Sequence, residues 1–307
     1  MKLAFVLFRY FPFGGMQRNM LSIAKACLDR GYDVEIICSE WLDDLPSKIK
    51  ITCLDVDKSK NNGTQMEAFF QAFSDYEALH QYDAVVGFNK FPGLDVYYAA
   101  DSCFATKAFE ERTWLYRLTK RAKIYLQYEK AVFGRDSSTQ ILEVSSKERE
   151  QFQKYYQTAS DRFISLPPGI SNNRVALENA LDIRKEKREN LHKELGIADD
   201  QKIFLAIGSG YRTKGLERSI RLMADLKQDL NNNVKSYVLL VAGQDKADKF
   251  IQLAKKLNVD GCVKFLGGRD DIPELLQAAD VVLHPAHKEN TGNVLLEAMV
   301  AGRPVIA

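Results

Sequence analysis

Short, continuous apolar runs recur along the chain, and stretches of mixed polarity separate them. Runs of this length are typical of parallel β-strands that are buried on both faces. Several of the intervening stretches carry apolar residues at helical spacing. Strands that alternate with helices predict an α/β fold built on parallel sheets. The predicted strands are Leu3–Phe8, Val34–Cys38, Ile49–Leu54, Ala84–Phe88, Gln140–Val144, Phe163–Leu166, Ile203–Ile207, Tyr237–Ala242, Val263–Leu266 and Val281–His284.

A proline pair interrupts this alternation near the middle of the chain. The sequence Leu166-Pro167-Pro168-Gly169 is the best candidate for a linker, because proline continues neither a helix nor a sheet. We therefore predict two Rossmann-like domains, residues 1–168 and 169–307, with a ligand bound in the cleft between them. A strand pattern at residues 303–307 has no helix after it, so we expect the second domain to be incomplete at its C-terminus.

The composition excludes several classes of protein. The 307 residues contain 43 lysines and arginines and 41 aspartates and glutamates, a net charge of +2 that creates no global field for nucleic acid. The five cysteines are scattered without a C-x-x-C pair, which is typical of a reducing compartment. The sequence shows no signal-peptide pattern and no apolar run of transmembrane length. These features predict a cytoplasmic protein.

The most informative stretch lies near the end of the chain, where a buried strand is followed by a polar loop and an apolar helix. Gly292 and Asn293 open this helix, whose first-turn amides, including that of Val294, favour an anion. Glu289 in the loop and Glu297 in the helix bracket that position. Because carboxylates repel a bare phosphate, the pair suits a ligand that also carries hydroxyls, as a nucleotide-sugar does. A solvated loop glutamate and an ordinary helix glutamate are the alternative interpretation.

A second candidate anion site follows the first predicted strand of the second domain. The loop is no Walker A loop, because that motif has Gly-Lys-Ser/Thr and here Lys214 precedes Gly215. Arg212 and Lys214 nevertheless place two cations at a strand end, where they can neutralise a diphosphate leaving group. A basic surface loop is the alternative.

Three other features of the sequence are of types that can bind a ligand or a metal. Gly14-Gly15 follows the first strand and lets the backbone approach a ligand closely, although a plain turn has the same pattern. Asp55-Val56-Asp57 matches a D-x-D metal motif that is too short to indicate a metal site, and we expect no metal. His284 and His287 lack a third ligand at suitable spacing, so we interpret them as structural.

A basic, aromatic segment of the first domain is a candidate lipid-binding surface. Its periodicity predicts one helix over Thr113–Phe133 with an apolar side. Such a helix can lie in the interface of an anionic membrane, or its apolar side can pack on the domain core. The pattern supports both interpretations equally. The apolar side carries Trp114, Leu115, Leu118, Ala122, Tyr125, Leu126 and Phe133, and the cations are Arg112, Arg117, Lys120, Lys123 and Lys130.

Several motifs together resemble one family of enzymes. Glu289 and Glu297, with seven residues between them, resemble the paired-glutamate motif of retaining GT-B glycosyltransferases, the large family that includes sucrose synthase. Four further segments resemble the lipopolysaccharide core glucosyltransferases that add the first glucose to the inner-core heptose. These segments are Phe11–Arg18, Val86–Tyr97, Leu166–Ile170 and Val241–Lys246, and the similarity runs over the whole chain.

The resemblance implies a reaction and a set of site residues. It implies retaining transfer of glucose from UDP-glucose to a lipid-anchored lipopolysaccharide core, in the GT-B arrangement of two Rossmann-like domains and without a metal or other cofactor. It implies that Lys214, Glu289 and Asp101 are catalytic, with Asp101 facing the transferred sugar; capping of the following segment is the other role open to Asp101. The implied substrate-binding residues are Gly14, Gly15, Arg212, Lys214, Arg269, Glu289, Gly292, Asn293, Val294 and Glu297.

The implied roles follow the parts of the donor. Lys214, Arg212 and the helix amides would hold the diphosphate. Glu297 would hold the ribose hydroxyls, and Glu289 the glucose hydroxyls. The backbone around Arg269 would cradle the uracil ring, and the glycine pair of the first domain would close over the sugar-diphosphate and the acceptor.

The acceptor also bears on where the protein acts. A lipid-anchored acceptor favours contact with an anionic membrane through residues 104–133, on the inner face of the cytoplasmic membrane. The family normally continues with a further βα unit and a C-terminal helix, so we expect a C-terminally truncated chain. Two alternatives stay open: a glycosyltransferase or epimerase that uses another sugar donor or acceptor, and an inactive fragment that binds nucleotide and membrane. The sequence does not choose between glucose and galactose.

Overall fold

The chain divides into two compact units, Met1–Pro168 and Gly169–Ala307. The computed structural model describes residues 1–12, 14–57, 61–167, 169–170, 180–198, 200–229, 237–289 and 292–307. The division falls within the proline-containing sequence, and each unit has its own sheet and hydrophobic core.

The first unit is built on a parallel sheet of seven strands. The strands of this unit are β1 (Lys2–Val6), β2 (Arg9–Tyr10), β3 (Asp33–Cys38), β4 (Glu40–Trp41), β5 (Lys50–Cys53), β6 (Ala84–Gly87), β7 (Val96–Ala99), β8 (Gln140–Glu143) and β9 (Phe163–Ser165). Its α-helices are α1 (Gly15–Asp29), α2 (Asn62–Ala78), α3 (Phe104–Thr106), α4 (Lys120–Phe133) and α5 (Arg149–Tyr156). The order in the sheet is β5-β3-β1-β6-β7-β8-β9, while β2 and β4 form a separate pair.

The central strand β1 shows why the apolar runs are continuous. Successive side chains of a strand point to opposite faces of the sheet. Ala4 and Val6 belong to one core cluster, and Phe5 and Leu7 belong to another. All four are at most 1% exposed, because both faces of the sheet are covered. The continuous apolar run therefore indicates that β1 is buried on both faces, as expected in a parallel sheet.

The second unit repeats this design on a smaller scale. Its parallel five-stranded sheet has the order β12-β11-β10-β13-β14, which reverses direction between β10 and β13. The strands are β10 (Lys202–Ile207), β11 (Tyr237–Ala242), β12 (Val263–Gly267), β13 (Val281–Leu283) and β14 (Val305–Ile306). The helices are α6 (Ala180–Leu195), α7 (Leu216–Asp229), α8 (Asp248–Lys256), α9 (Ile272–Ala278) and α10 (Asn293–Val300).

The predicted α/β fold with parallel sheets is confirmed, and the differences concern single elements. The strand β7 and the helix α5 were not predicted. The helix α6, which begins at Ala180 in the polar stretch after the linker, was not predicted either. Residues 171–179 of that stretch lie outside the described residues.

The predicted helix over Thr113–Phe133 is wrong in its first third. Trp114–Leu118 form a 3₁₀ turn, and Thr119 leaves the helical region with φ −65° and ψ 144°. The Thr119 hydroxyl accepts a hydrogen bond of 3.2 Å from the Ala122 amide, so this residue caps α4 instead of lying inside a helix. The apolar side is therefore split: Trp114 and Leu118 are exposed, whereas Ala122 is buried.

Candidate active site

The carboxyl ends of β10 and β13 lie side by side at the point where the strand order of the second sheet reverses. Phe204 pairs with Val281 across these two strands. Open α/β sheets bind ligands beyond the carboxyl ends of their strands, at such a reversal. The loop after β10 carries Lys214, and the loop after β13 carries Glu289. The topology therefore brings together two side chains that are 75 positions apart in the sequence.

Backbone contacts hold these two loops against each other. The His287 amide donates a hydrogen bond of 2.9 Å to the Thr213 carbonyl. Gly215 has a φ of +72°, and a Cβ at this position would lie 1.9 Å from the Pro285 carbonyl oxygen. The Arg218 guanidinium donates to the same oxygen over 3.1 Å. Only glycine permits this approach, because it has no Cβ and tolerates a positive φ.

The Glu289 carboxylate is the centre of the resulting cluster. Its Oε2 atom lies 2.5 Å from Lys214 Nζ and 2.7 Å from His284 Nε2. The Gly292 amide also donates to this carboxylate. Burial raises the pKa of Glu289, but the hydrogen bonds from His284, Lys214 and Gly292 outweigh that effect and hold the pKa well below the ordinary range of a glutamate. Glu289 is therefore an anion at neutral pH and not the solvated loop residue of the alternative interpretation.

His284 was missed as a site residue by the sequence analysis. It follows β13 directly and is 3% exposed, and its ring contacts the Glu289 carboxylate. The sequence indicated a structural role, because no third metal ligand stands at suitable spacing from this histidine. Its position at the end of a strand beside the reversal of the sheet was the signal that could have identified it.

The helix α10 presents its N-terminus at the same place. Gly292 is the N-cap residue with φ 63° and ψ 30°, and its carbonyl accepts from the amides of Leu295 and Leu296 at 2.8 and 3.1 Å. The first intrahelical bond thus comes from Leu295, so the amides of Asn293 and Val294 have no acceptor within the helix. Together with the helix dipole they favour an anion.

Glu297 lies inside α10 and is only 6% exposed. A buried carboxylate needs a polar or charged partner, and the Glu297 side chain has one. Its burial shows that Glu297 is not a solvated residue of the helix, and its role in holding a ligand stays a prediction.

The two arginines predicted for the nucleotide lie in different surroundings. Arg212 is exposed on the loop that carries Lys214. Arg269 follows β12, where its guanidinium binds both carboxylate oxygens of Asp271 at 2.7 and 2.8 Å and contacts Glu194 at 3.1 Å. These contacts tie the loop to α6. The side chain of Arg269 is therefore used within the fold, and only its backbone remains a candidate for contact with a base.

The glycine pair of the first unit begins α1. Gly14 is the buried N-cap residue, and Gly15 is the first residue of the helix. A Cβ on Gly14 would lie 2.0 Å from Gln17 Oε1 and 2.7 Å from the Phe11 ring. The helix has neither a side-chain cap nor an acidic residue in its first turn. Its N-terminus can therefore face an anion, as the sequence analysis expected of this loop.

Asp101 lies two residues beyond β7, next to a buried ion pair of Lys90 with Glu129. The amides of Phe104 and Ala105 donate to Glu129 at 2.7 and 2.8 Å, so Glu129, and not Asp101, satisfies the start of α3. The residue Asp101 is exposed, yet enough protein surrounds its carboxyl for burial to raise the pKa, against the opposing charge of Lys90. The capping alternative for Asp101 is therefore wrong.

The described residues contain neither a candidate metal cluster nor a helix that could span a membrane. No three side chains of histidine, cysteine, aspartate or glutamate in these ranges come close enough to hold a metal ion. No helix in the same part of the chain is both long and apolar enough to cross a bilayer.

Comparison with known proteins places this site in a family. The family model described as glycosyl transferases group 1 matches residues 187–307. The lipopolysaccharide glucosyltransferase WaaG of Escherichia coli is 42% identical over 309 aligned residues, which cover all of this chain and 80% of WaaG. The chain belongs to the group 1 glycosyltransferases. The expected membership is thereby confirmed.

Solved structures support the fold of this glycosyltransferase. A crystal structure of WaaG, described as a glycosyltransferase involved in lipopolysaccharide biosynthesis, matches 99% of the chain with a TM-score of 0.91 and 41% identity, over 80% of its own length. Sucrose-phosphate synthase from Thermosynechococcus elongatus matches all of the chain, and 80% of its own, with a TM-score of 0.75 at 17% identity. At that identity the likeness concerns the fold alone.

Proposed function

We propose that this glycosyltransferase moves glucose from UDP-glucose to an inner-core heptose of lipopolysaccharide, with retention of the anomeric configuration. The observation that carries the proposal is the cluster of Lys214, Glu289 and the N-terminus of α10 at the reversal of the second sheet. The choice of substrates is supported by the 42% identity with the glucosyltransferase WaaG over the whole chain.

Lys214 and the first amides of α10 bind the diphosphate in this proposal, with exposed Arg212 as an additional cation. Negative charge grows on the β-phosphate oxygen as its bond to C1 of glucose breaks. Positive groups that are already fixed in place stabilise this charge more in the transition state than in the ground state. Lys214 is therefore a catalytic residue, and no metal ion is needed to neutralise the leaving group.

The two glutamates recognise the hydroxyl-bearing parts of the donor. A buried carboxylate in α10 suits the paired hydroxyls of ribose, and this role falls to Glu297. Glu289 accepts hydrogen bonds from the glucose hydroxyls. The uracil ring lies against the backbone around Arg269, beyond the end of β12.

The first unit supplies the acceptor side. Its candidate residues for substrate binding are Gly14, Gly15 and Asp101. The acceptor hydroxyl attacks C1 on the face from which the phosphate leaves, and its proton passes to the departing phosphate oxygen. The new C1–O bond then has the configuration of the one that broke, and no strong protein base is required.

The segment 104–133 brings the enzyme to the membrane that holds the acceptor. Its exposed apolar residues are Phe109, Trp114, Leu115 and Leu118, between 48% and 62% exposed. Arg117 lies over the Phe109 ring at 5.0 Å, and Arg112 over the Tyr116 ring at 5.8 Å. Exposed aromatic residues with interleaved cations suit an anionic bilayer surface. Flotation with anionic liposomes should carry the protein upward, and a Trp114→Ser/Leu118→Ser variant should stay at the bottom.

The decisive assay uses radiolabelled donors and purified lipopolysaccharide. Label from UDP-glucose should enter lipopolysaccharide that ends at the inner-core heptose, and lipopolysaccharide that lacks heptose should stay unlabelled. EDTA should not lower the rate. Preferred transfer from UDP-galactose would contradict the assignment of glucose. Binding of UDP in a calorimeter without transfer from any donor would contradict an active enzyme.

A further inference from the structure

The groups proposed to receive the diphosphate already bind an anion in this structure, and that anion is Glu289. Lys214 Nζ and His284 Nε2 both lie within 2.7 Å of the same carboxylate oxygen, Oε2. The Gly292 amide at the mouth of α10 donates to the same carboxylate. The carboxylate of the protein thus uses two of the contacts that a phosphate would make.

We propose that Glu289 is an internal anion that the donor diphosphate displaces from Lys214. This inference rests on the proposed function and adds an exchange step to it. When the diphosphate binds, the Lys214 ammonium moves from the carboxylate to the phosphate, and no covalent bond forms or breaks. The released Glu289 oxygen then accepts hydrogen bonds from the hydroxyls of the transferred sugar.

The exchange follows from charge and limited space. The side chains of Lys214 and Glu289 are 28% and 24% exposed, so their contact is only partly screened by water. A carboxylate and a phosphate that both contact one ammonium repel each other. The donor must therefore weaken the Lys214–Glu289 contact in order to bind.

His284 keeps Glu289 in place during the exchange. It is 3% exposed, and its ring is fixed at the end of β13, whereas Lys214 has a flexible side chain. The bond between His284 and Glu289 therefore survives when the ammonium leaves. This makes His284 a positioning residue that aims the carboxylate at the sugar.

The exchange predicts a difference between UDP and UDP-glucose. UDP takes the Lys214 ammonium away from Glu289 and has no transferred sugar to donate hydrogen bonds to the carboxylate. UDP-glucose replaces the lost contact with its glucose hydroxyls. Glu289→Gln removes the competing charge, so it should tighten UDP binding by about tenfold, the equivalent of one charged hydrogen bond. UDP-glucose should gain less, because glutamine is a weaker acceptor for its hydroxyls.

Isothermal calorimetry on the full chain measures this with a double-mutant cycle. On a Lys214→Met background, Glu289→Gln should leave the Kd for UDP unchanged. Glu217→Gln is the matched control, because Glu217 pairs with Arg221 on α7 and its loss changes the net charge equally. That control should not tighten UDP binding.

Each outcome bears on the inference. An unchanged or weaker UDP affinity in Glu289→Gln, or the same gain without Lys214, would overturn the exchange. If the wild type itself fails to bind UDP, the proposed function fails instead. For His284, the inference expects that His284→Phe lowers kcat with little change in the Kd for UDP and that His284→Gln restores part of the rate. Equal losses in both variants would refute the positioning role.

Discussion

Gly215→Ala tests whether the approach of two loops creates the active site. The residue has a φ of +72°, where a side chain costs about 1–2 kcal/mol. Its new Cβ would also stand 1.9 Å from the Pro285 carbonyl oxygen, a backbone atom that cannot turn away. Real Cβ contacts do not fall below 3.0 Å, so the loops must separate by about 1 Å. Displacement of catalytic groups by about 1 Å can cost about 100-fold in rate.

The control is a second glycine in the same loop. Gly210 has a φ of +79°, but a Cβ there meets no atom within 4 Å. Gly210→Ala should therefore share the conformational cost and its small drop in melting temperature, while kcat stays close to that of the wild type. Transfer of labelled glucose and thermal unfolding measure the two effects separately. Similar kcat values for the two variants would refute the claim that the contact between Gly215 and Pro285 assembles the site.

Three further predictions test other parts of the structure. Lys214→Met should lower kcat by about 100-fold or more, because stabilisation of a leaving group acts in the transition state; the Kd for UDP should change much less, and equal losses would contradict the catalytic role. Glu129→Gln should cost about 3 kcal/mol in urea unfolding, because it leaves the Lys90 cation buried without its partner; a loss under about 1 kcal/mol would argue against a buried pair. Burial raises the pKa of Glu35, but hydrogen bonds from Thr52 and from other side chains around the carboxylate lower it to about 2 from an ordinary 4.5. Stability should therefore be lost as pH falls from 4.5 towards 2, and the Glu35→Gln variant should lack this dependence.

The fold could be predicted because burial restricts the residue types that a position can hold. A strand covered on both faces must be apolar at every position, and the run at residues 3–8 is an example. The strand β7 was harder to identify, because its tyrosines also suit a half-buried helix or a loop. The helix α6 escaped prediction for the opposite reason. It is highly charged, and long-range ion pairs such as Arg184 with Asp280 hold it to the rest of the unit.

In the segment before α4, the backbone angle of one residue ends a helix that the apolar spacing predicted to be continuous. The apolar positions from Trp114 to Phe133 fit a single helical wheel. Thr119 uses its hydroxyl to cap α4 and adopts ψ 144°, so the residues before it belong to a separate turn. Threonine is favoured at an N-cap and only mildly unfavourable inside a helix, so the spacing of the apolar residues did not reveal the break.

Local sequence alone determined the candidate groups of the site: the cations after β10, the glycine that opens α10, and the two glutamates around it. It could do so because strand ends and helix starts have local signatures. Tertiary structure alone decided that Lys214 and His284 both contact the same carboxylate oxygen of Glu289. Contacts of that kind depend on which strands are neighbours and on how closely two loops approach, and no local pattern of residues records either distance.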